Sequence, residues 1–395
     1  MIESRDGRRV AITGLGVVAP CGLGVDEFWD GLMQEPKPST VRRITDWAPT
    51  AHGLSAAEAR RLDRHAQLAV GAAAEAMADA ALTDGVPDPV RSAVILGTGI
   101  GGAETWEEQV QVLRERGPRR VSPLTVPMVM PNAAAAAVSM RWGWQGPCET
   151  IATACASGTH AIAAGAKLIA SGRVDRVLAG GAESCQTETM VAAFTSMRAL
   201  SPSGISRPFD VARDGFCASE AGAMLVLEEL TAAQQRGAHV YAEIAGSAST
   251  ADAHHITAPA PGGVGAANCM RLAVADACVP LAEVTQVNAH GTSTPLNDAT
   301  EATAIRAVFG TLRPAVTSVK GVTGHSLGAA GAVEAVAVSL SYDRRLIPPT
   351  VGVSHVDDDI DLDIVIEARE WQPAAALSNS FAFGGHNGCL VFQPV

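Results

Sequence analysis

Aromatic side chains are scarce. Phe, Trp and Tyr make up 4% of the 395 residues, and only 18% of the chain is charged. With 47% hydrophobic residues beside so little charge, a disordered chain is excluded, because there is ample apolar surface to bury. Positive charge is in deficit as well. The net charge of −12 argues against nucleic acid as the main partner, although it leaves room for local basic patches. The eight cysteines contain no C-x-x-C pair and no regular spacing, which reads as reduced thiols in the cytoplasm. The ten histidines contain neither H-E-x-x-H nor H-x₃-H, so no metal centre is expected. No apolar run is long enough to cross a bilayer. The opening MIESRDGRRVAITG lacks the apolar core of a leader peptide.

What is present is an alternation of strand-like and helix-like runs, which reads as α/β. RRVAITG (8–14), SAVILGTG (92–99) and RVLAGG (176–181) read as buried strands, and residues 55–82 as a helix opened by a Ser55–Glu58 capping box. The rhythm resumes with QVNAHG (286–291), a helix near 297–309, AVTSV (315–319) and a helix at 328–342. Two α/β halves, 1–240 and 241–395, are expected. GLGVVA (14–19) and GTGIGG (97–102) approximate the dinucleotide fingerprint. Pro20 and Gly22 interrupt the first where a helix should open, and the second lacks a following strand with an acid. Tight strand exits explain these glycines better.

Two segments compete for the chemistry. Gly324 to Gly328, GHSLG, fits the G-x-S-x-G elbow of serine hydrolases, and Asp357 and His386 follow in the required order. That reading puts Lys320 in a buried strand without a partner and leaves most of the chain upstream without a role. The alternative nucleophile is Cys155 in TACASG, where an apolar segment runs into a small-residue helix. Free N–H groups at a helix N-terminus favour a thiolate, which is otherwise only about 3% of a free cysteine at pH 7. His290 in NAHGTSTPLND and His325 in VKGVTGHSLGAAG each follow a predicted strand, and SNSFAFGGHNG closes the set.

In this order, TACASG, SRPFDVARDGF, NAHGTSTPLND, VKGVTGHSLGAAGAVEA and FGGHN resemble the β-ketoacyl-[acyl-carrier-protein] synthases of the dissociated (type II) fatty acid and polyketide systems. The resemblance covers essentially the whole chain. It implies the thiolase-like fold, two similar α/β halves packed as a layered α-β-α-β-α sandwich. It also implies a decarboxylative condensation by a Cys155–His290–His325 triad: Cys155 takes the acyl group, and the two imidazoles stabilise the enolate formed when malonyl-[acyl-carrier-protein] loses CO₂. The N–H groups of Cys155 and Phe383 would form the oxyanion hole. Lys320 and Glu301 match a supporting charged pair, Thr292 and Thr294 match residues that bond the phosphopantetheine arm, and Phe383 matches an aromatic gate. Trp106 and Phe194 match the acyl pocket, and Arg60, Arg61, Arg119, Arg120 and Arg198 match basic positions for an acidic carrier protein. No resident cofactor is implied, since phosphopantetheine arrives on the carrier. The default assembly is a homodimer, with a chain-length-factor-like heterodimer as the alternative.

Some positions depart from the family pattern. Ala382 stands where glycine is usual, Cys217–Ala218–Ser219 where a bulkier residue and a glycine are usual, and Trp106 where a smaller aliphatic is usual. Trp106 is therefore expected to block or reshape the acyl pocket. A silent partner subunit would lack Cys155, and a degradative thiolase would have one such histidine and a second active cysteine. The paired histidines fit neither.

Overall fold

The structure is a computed structural model describing residues 7–395; Met1–Asp6, part of the polar opening read as no leader, lie outside the described residues. The apolar runs become strands buried along their length, among them Val10–Ala19 and Arg176–Glu183. A strand covered on both faces needs a packed layer on each side. Among the described residues the main sheet has twelve strands, eleven in one path and Gly22–Leu23 paired beside Val10–Ala19. From one edge the path runs Cys148–Ile151, Ser92–Gly97, Arg176–Glu183, Ala221–Glu229, Val10–Ala19. It continues through Ala242–Ala251, His386–Gln393, Ala375–Ala382, Val284–Asn288 and Ala315–Thr317 to Asp363–Ile364.

The path contains the same topology twice. In each half the first strand pairs with the last, the last with the one before it, and two parallel strands follow. Within the sheet, among the described residues, the halves join through two residue pairs, Ala11–Glu243 and Ile12–Ala242. The helices Ser157–Ala170 and Ala330–Arg344 occupy equivalent places in the two halves, pack on each other, and touch strands of both. They form the middle layer. Arg64–Asp79 and Ala133–Trp142 cover one outer face, while Val264–Asp276, with Pro295–Phe309 against it, covers the other. This is the layered α-β-α-β-α arrangement.

Small residues let the middle layer close. A Cβ on Gly331 would lie 2.0 Å from Thr159 Oγ1, and one on Gly158 would lie 2.8 Å from Ala332 N. The two helices therefore touch backbone to backbone near their N-termini, the end where the chemistry sits. The dinucleotide-like glycines have the same explanation: a Cβ on Gly16 would stand 2.0 Å from Ala72 O of the covering helix. The expected helix over 55–82 is divided. Ser55 and Glu58 do form their capping box on a single turn, Ala56–Ala59. Asp63 then caps a second helix, Arg64–Asp79, with its carboxylate on His65 N–H. The break follows from Asp63 competing for backbone donors. No helix among the described residues is long and apolar enough to cross a membrane.

Gly331→Ala should lower unfolding stability by about 1–3 kcal/mol, the usual cost of overpacking. The check is the urea midpoint at constant slope; a wild-type midpoint would mean that the two helices are free to move apart.

Candidate active site

Cys155 lies in a tight turn just before the Ser157–Ala170 helix. Ala154 takes a positive φ of 50°, a backbone state that side chains with a Cβ rarely adopt and that clusters at working sites. Ser157 holds the turn, accepting from Thr153 N–H at 2.9 Å and donating to Ala154 O at 2.6 Å. His325 occupies the matching place ahead of the Ala330–Arg344 helix. Gly324 turns the chain with φ 70° and Leu327 with φ 47°. The segment read as unusual, Cys217–Ala218–Ser219, brackets His325: Cys217 O accepts His325 N–H at 2.7 Å, and Ser219 N–H donates to His325 O at 3.1 Å. The fold thus brings the two equivalent helix starts together, and His325 Nε2 lies 3.1 Å from Cys155 Sγ.

His290 enters from the loop after Val284–Asn288 and meets His325 edge to face, with ring centroids 5.4 Å apart. The thiol and one nitrogen of each imidazole lie within 4.8 Å of one another, and all three side chains are buried. A zinc ion would need these donors about 2.0–2.3 Å from its centre. The ammonium of Lys320 beside His290 opposes a dication there.

Lys320 is buried at 1% exposure. Its Nζ donates to His290 O at 2.6 Å, stands 3.3 Å from His290 Nδ1, and is bonded to Glu334. The carboxylate facing Lys320 is therefore Glu334, not Glu301 as the resemblance implied. Glu301 accepts the N–H groups of His290 and Gly291, each at 2.8 Å, and so fixes the loop carrying His290. Glu334 escaped the sequence reading, yet a signal existed: it is the only carboxylate or cationic side chain between Lys320 and Asp343. An isolated acid inside an apolar helix needs a partner.

These contacts set the protonation states. An ammonium has only hydrogens to offer, so His290 Nδ1 facing it must be the lone-pair nitrogen, and Nε2 carries the hydrogen. Burial lowers both imidazoles well below their usual range, and Lys320 lowers them further. Both are neutral at physiological pH. Burial pushes the Cys155 thiol upward, and the buried Glu183 carboxyl adds to this. Lys320 and the backbone N–H groups of Phe383 and Cys155 pull the other way. The expectation of a resting thiolate is thus corrected. The helix N-terminus is there, but desolvation outweighs it, and the resting state is a thiol beside a neutral imidazole. The same two N–H groups point at the sulfur, where an acyl oxygen would develop charge. Burial raises Glu301 and Glu334 to about 7 and Asp298 to about 6.

A cavity of about 360 Å³ opens onto Cys155, His290 and His325. Thr292 and Thr294 line it with their hydroxyls 2.8 Å apart. Phe194 lines it too, stacked edge-on against Phe216, which in turn meets His325. Phe383 follows Ala382, whose φ of −120° is ordinary extended backbone, so alanine causes no strain there in this state. Trp106 does not line this cavity. It lies 59% exposed on the Ala103–Arg116 helix, because Ala103 and Thr105 are the residues that helix turns inward. It borders a neighbouring cavity of about 730 Å³, whose walls include Ala103 and Met190 of the apolar cluster around Cys155. Arg198 lines the catalytic cavity; Arg60, Arg61, Arg119 and Arg120 are exposed elsewhere. Ser326 does not line the cavity, and Asp357, the acid a hydrolase would need, is paired with Arg213 at 2.6 Å.

Residues 36–233 match the family described as Beta-ketoacyl synthase, N-terminal domain, and 241–354 match Beta-ketoacyl synthase, C-terminal domain. The chain is 40% identical to a 3-oxoacyl-[acyl-carrier-protein] synthase 2 from Staphylococcus aureus, over 98% of both sequences. Among solved structures it is similar to the ishigamide ketosynthase/chain length factor, with TM-score 0.90 and 33% identity over 98% of this chain and 99% of that one. It is also similar to a structure of a type II polyketide synthase acyl-carrier protein in complex with its hexaketide-bound ketosynthase. There the TM-score is 0.88 and the identity 31%, over 98% of this chain and 99% of that chain.

Removing one member of the buried pair should cost more than removing both. Lys320→Met is expected to lose about 3–5 kcal/mol, and Lys320→Met with Glu334→Leu to regain most of it, read by denaturant unfolding. Both variants lose the positive charge near the sulfur, so the pH of half-maximal Cys155 alkylation should rise. An unchanged midpoint would remove Lys320 from the account.

Proposed function

The chain belongs to the β-ketoacyl synthase family, and from that premise we propose that Cys155 carries the acyl group while His290 and His325 hold the enolate. The protein is an acyltransferase of the 3-oxoacyl-[acyl-carrier-protein] synthase type, condensing acyl units in fatty acid or polyketide elongation. The observation that carries the residue assignment is the 3.1 Å approach of His325 Nε2 to Cys155 Sγ in a buried cavity that His290 shares.

In the first half-reaction the sulfur attacks the carbonyl of an acyl thioester, with His325 in reach of the thiol proton. The oxyanion lies against the N–H groups of Cys155 and Phe383. The carrier's sulfur leaves with the proton. In the second, a malonyl thioester loses CO₂, and the electron pair moves onto its carbonyl oxygen. Nε2–H of His290 and the His325 ring hold that oxygen. The enolate carbon then attacks the acyl-cysteine, a C–C bond replaces the C–S bond, and the released thiolate takes up a proton. Neutral imidazoles suit this role, since donors are needed and a charged ring would have to lose its proton again.

No resident cofactor is required, because the phosphopantetheine arm comes with the carrier and passes Thr292 and Thr294. Exposed Arg198 at the cavity, and the exposed Arg60, Arg61, Arg119 and Arg120 elsewhere on the surface, offer positive charge to an acidic carrier. The second subunit is a copy of this chain or a chain-length-factor-like relative, and the setting is cytoplasmic. The wall shared by Ala103 and Met190 points the acyl chain toward the cavity beside Trp106.

Incubation with an acyl-carrier thioester should add one acyl mass at Cys155, located by peptide mass spectrometry. An adduct at Ser326 would contradict the reading. His290→Ala should still be acylated yet lose condensation about 100-fold or more, the usual effect of removing one oxyanion donor. The sign of the pH dependence is also fixed. The neutral imidazoles are the active forms and their pKa values are depressed, so turnover should persist below the ordinary imidazole midpoint of about 6.5 and fall only at lower pH. An acid limb centred at or above that midpoint would contradict neutral histidines.

A further inference from the structure

Glu183 closes the strand Arg176–Glu183, is fully buried, and pairs with no arginine or lysine among the described residues. Its partners are all donors. Oε1 accepts Thr98 Oγ1 at 3.1 Å, and Oε2 accepts Gly99 N–H at 2.5 Å and Gly328 N–H at 3.2 Å. An ionised carboxylate satisfies all three, and these donors work against the burial that raises its pKa. Those partners come from opposite sides of the site. Thr98 and Gly99 follow the strand Ser92–Gly97 of the first half, and Thr98 O stands 3.3 Å from the hydroxyl of Ser157, the residue that holds the Cys155 turn, as the longer of two acceptors for a proton given to Ala154 O at 2.6 Å. Gly328 belongs to the second half, three positions after His325.

The contact leaves no slack. A Cβ on Gly328 would lie 2.2 Å from Gly99 N and 2.6 Å from Glu183 Oε2. An unbroken chain therefore links the Cys155 turn, Ser157, Thr98, Glu183, Gly328 and the His325 turn. We propose that Glu183 is a positioning residue of the condensation site, its carboxylate clasping Thr98, Gly99 and Gly328 so as to set the approach of His325 to Cys155.

This proposal rests on the condensing reading above and adds to it a residue that touches neither substrate nor imidazole. The charge has its own consequence. Toward Glu183 face His65, whose Nδ1 is tied to Asp63 at 2.8 Å, and the thiols of Cys155 and Cys185. Toward Cys155 face Lys320, His325, His290 and Cys185. Burial is what keeps Cys155 a thiol; beyond it Lys320 favours the thiolate and Glu183 opposes it, one cation and one anion placed on different halves.

Two variants separate reach from charge. Glu183→Gln keeps the size but removes the charge, leaving a weaker neutral carbonyl for the two N–H groups and an amide nitrogen toward the Thr98 hydroxyl; Glu183→Asp keeps the charge but falls a methylene short of Gly328. Both should lower kcat about tenfold or more while leaving KM for the acyl-carrier thioester within about threefold, as a misplaced catalytic group does. The pH of half-maximal Cys155 alkylation by iodoacetamide should fall by about half a unit to one unit in Glu183→Gln and stay at the wild-type value in Glu183→Asp.

The alkylation readout needs no acyl substrate, and wild-type turnover tests the condensing reading separately. An unmoved midpoint in Glu183→Gln, even in a protein that melts earlier, would make the carboxylate merely structural and overturn the proposal. Should Glu183→Gln not fold, Glu183→Asp decides. Wild-type kcat would overturn the proposal, and a tenfold loss at unchanged KM would support it.

Discussion

A cation held in the protein interior constrains everything around it. Lys320 has almost no solvent contact, and its ammonium is met by Glu334, by the carbonyl of His290 and by His290 Nδ1. Such a group is tolerated only when every hydrogen has an acceptor. The requirement fixes His290 in one tautomer, adds to the burial that keeps both imidazoles neutral, and leaves a positive field at the thiol. Chemistry that needs neutral imidazoles beside a sulfur nucleophile thus follows from burial together with one lysine and the acid opposite it.

The second constraint is geometric. The fold repeats one topology, and its two middle helices start at the same place in the molecule. One is preceded by Cys155 and the other by His325, so the nucleophile and one of its imidazoles are equivalent positions of the two halves. Glycines at 158, 328 and 331 let those helix starts approach to backbone contact. Positive φ at Ala154 and Leu327 turns the chain sharply on each side. Glu183 then bonds across the seam. The site is the line where the halves meet, which is why both must be formed before any of it exists.

Much of this was legible in the residues. Cys155, His290 and His325 each lie just past an apolar strand-like run, and the alternation of runs gave the α/β class. The capping box at Ser55 and Glu58 was readable because it is a local contact. The partners of Lys320 and Glu301 were not, since both charges are buried and a sequence does not say which acid lies opposite a given cation across the fold. The burial of Cys155 reversed the sign expected from its helix position, because desolvation depends on the layers packed over the turn. Trp106 stands one cavity away from the catalytic one, a placement that was not legible for a related reason. The face that a helix turns inward depends on what packs against it, and here Ala103 and Thr105 face in.

The claim beneath all of this is that the site holds two neutral imidazoles, with the His290 proton on Nε2 because Lys320 faces Nδ1. The most direct measurement is ¹⁵N NMR of the imidazole nitrogens in protein labelled at histidine, assigned with His290 and His325 variants and followed from pH 8 to about 5.5, across the ordinary imidazole midpoint. The account predicts two rings that stay neutral through that range, with His290 as the Nε2–H tautomer. A ring that takes up a proton near the ordinary midpoint, or a His290 proton on Nδ1, would contradict it.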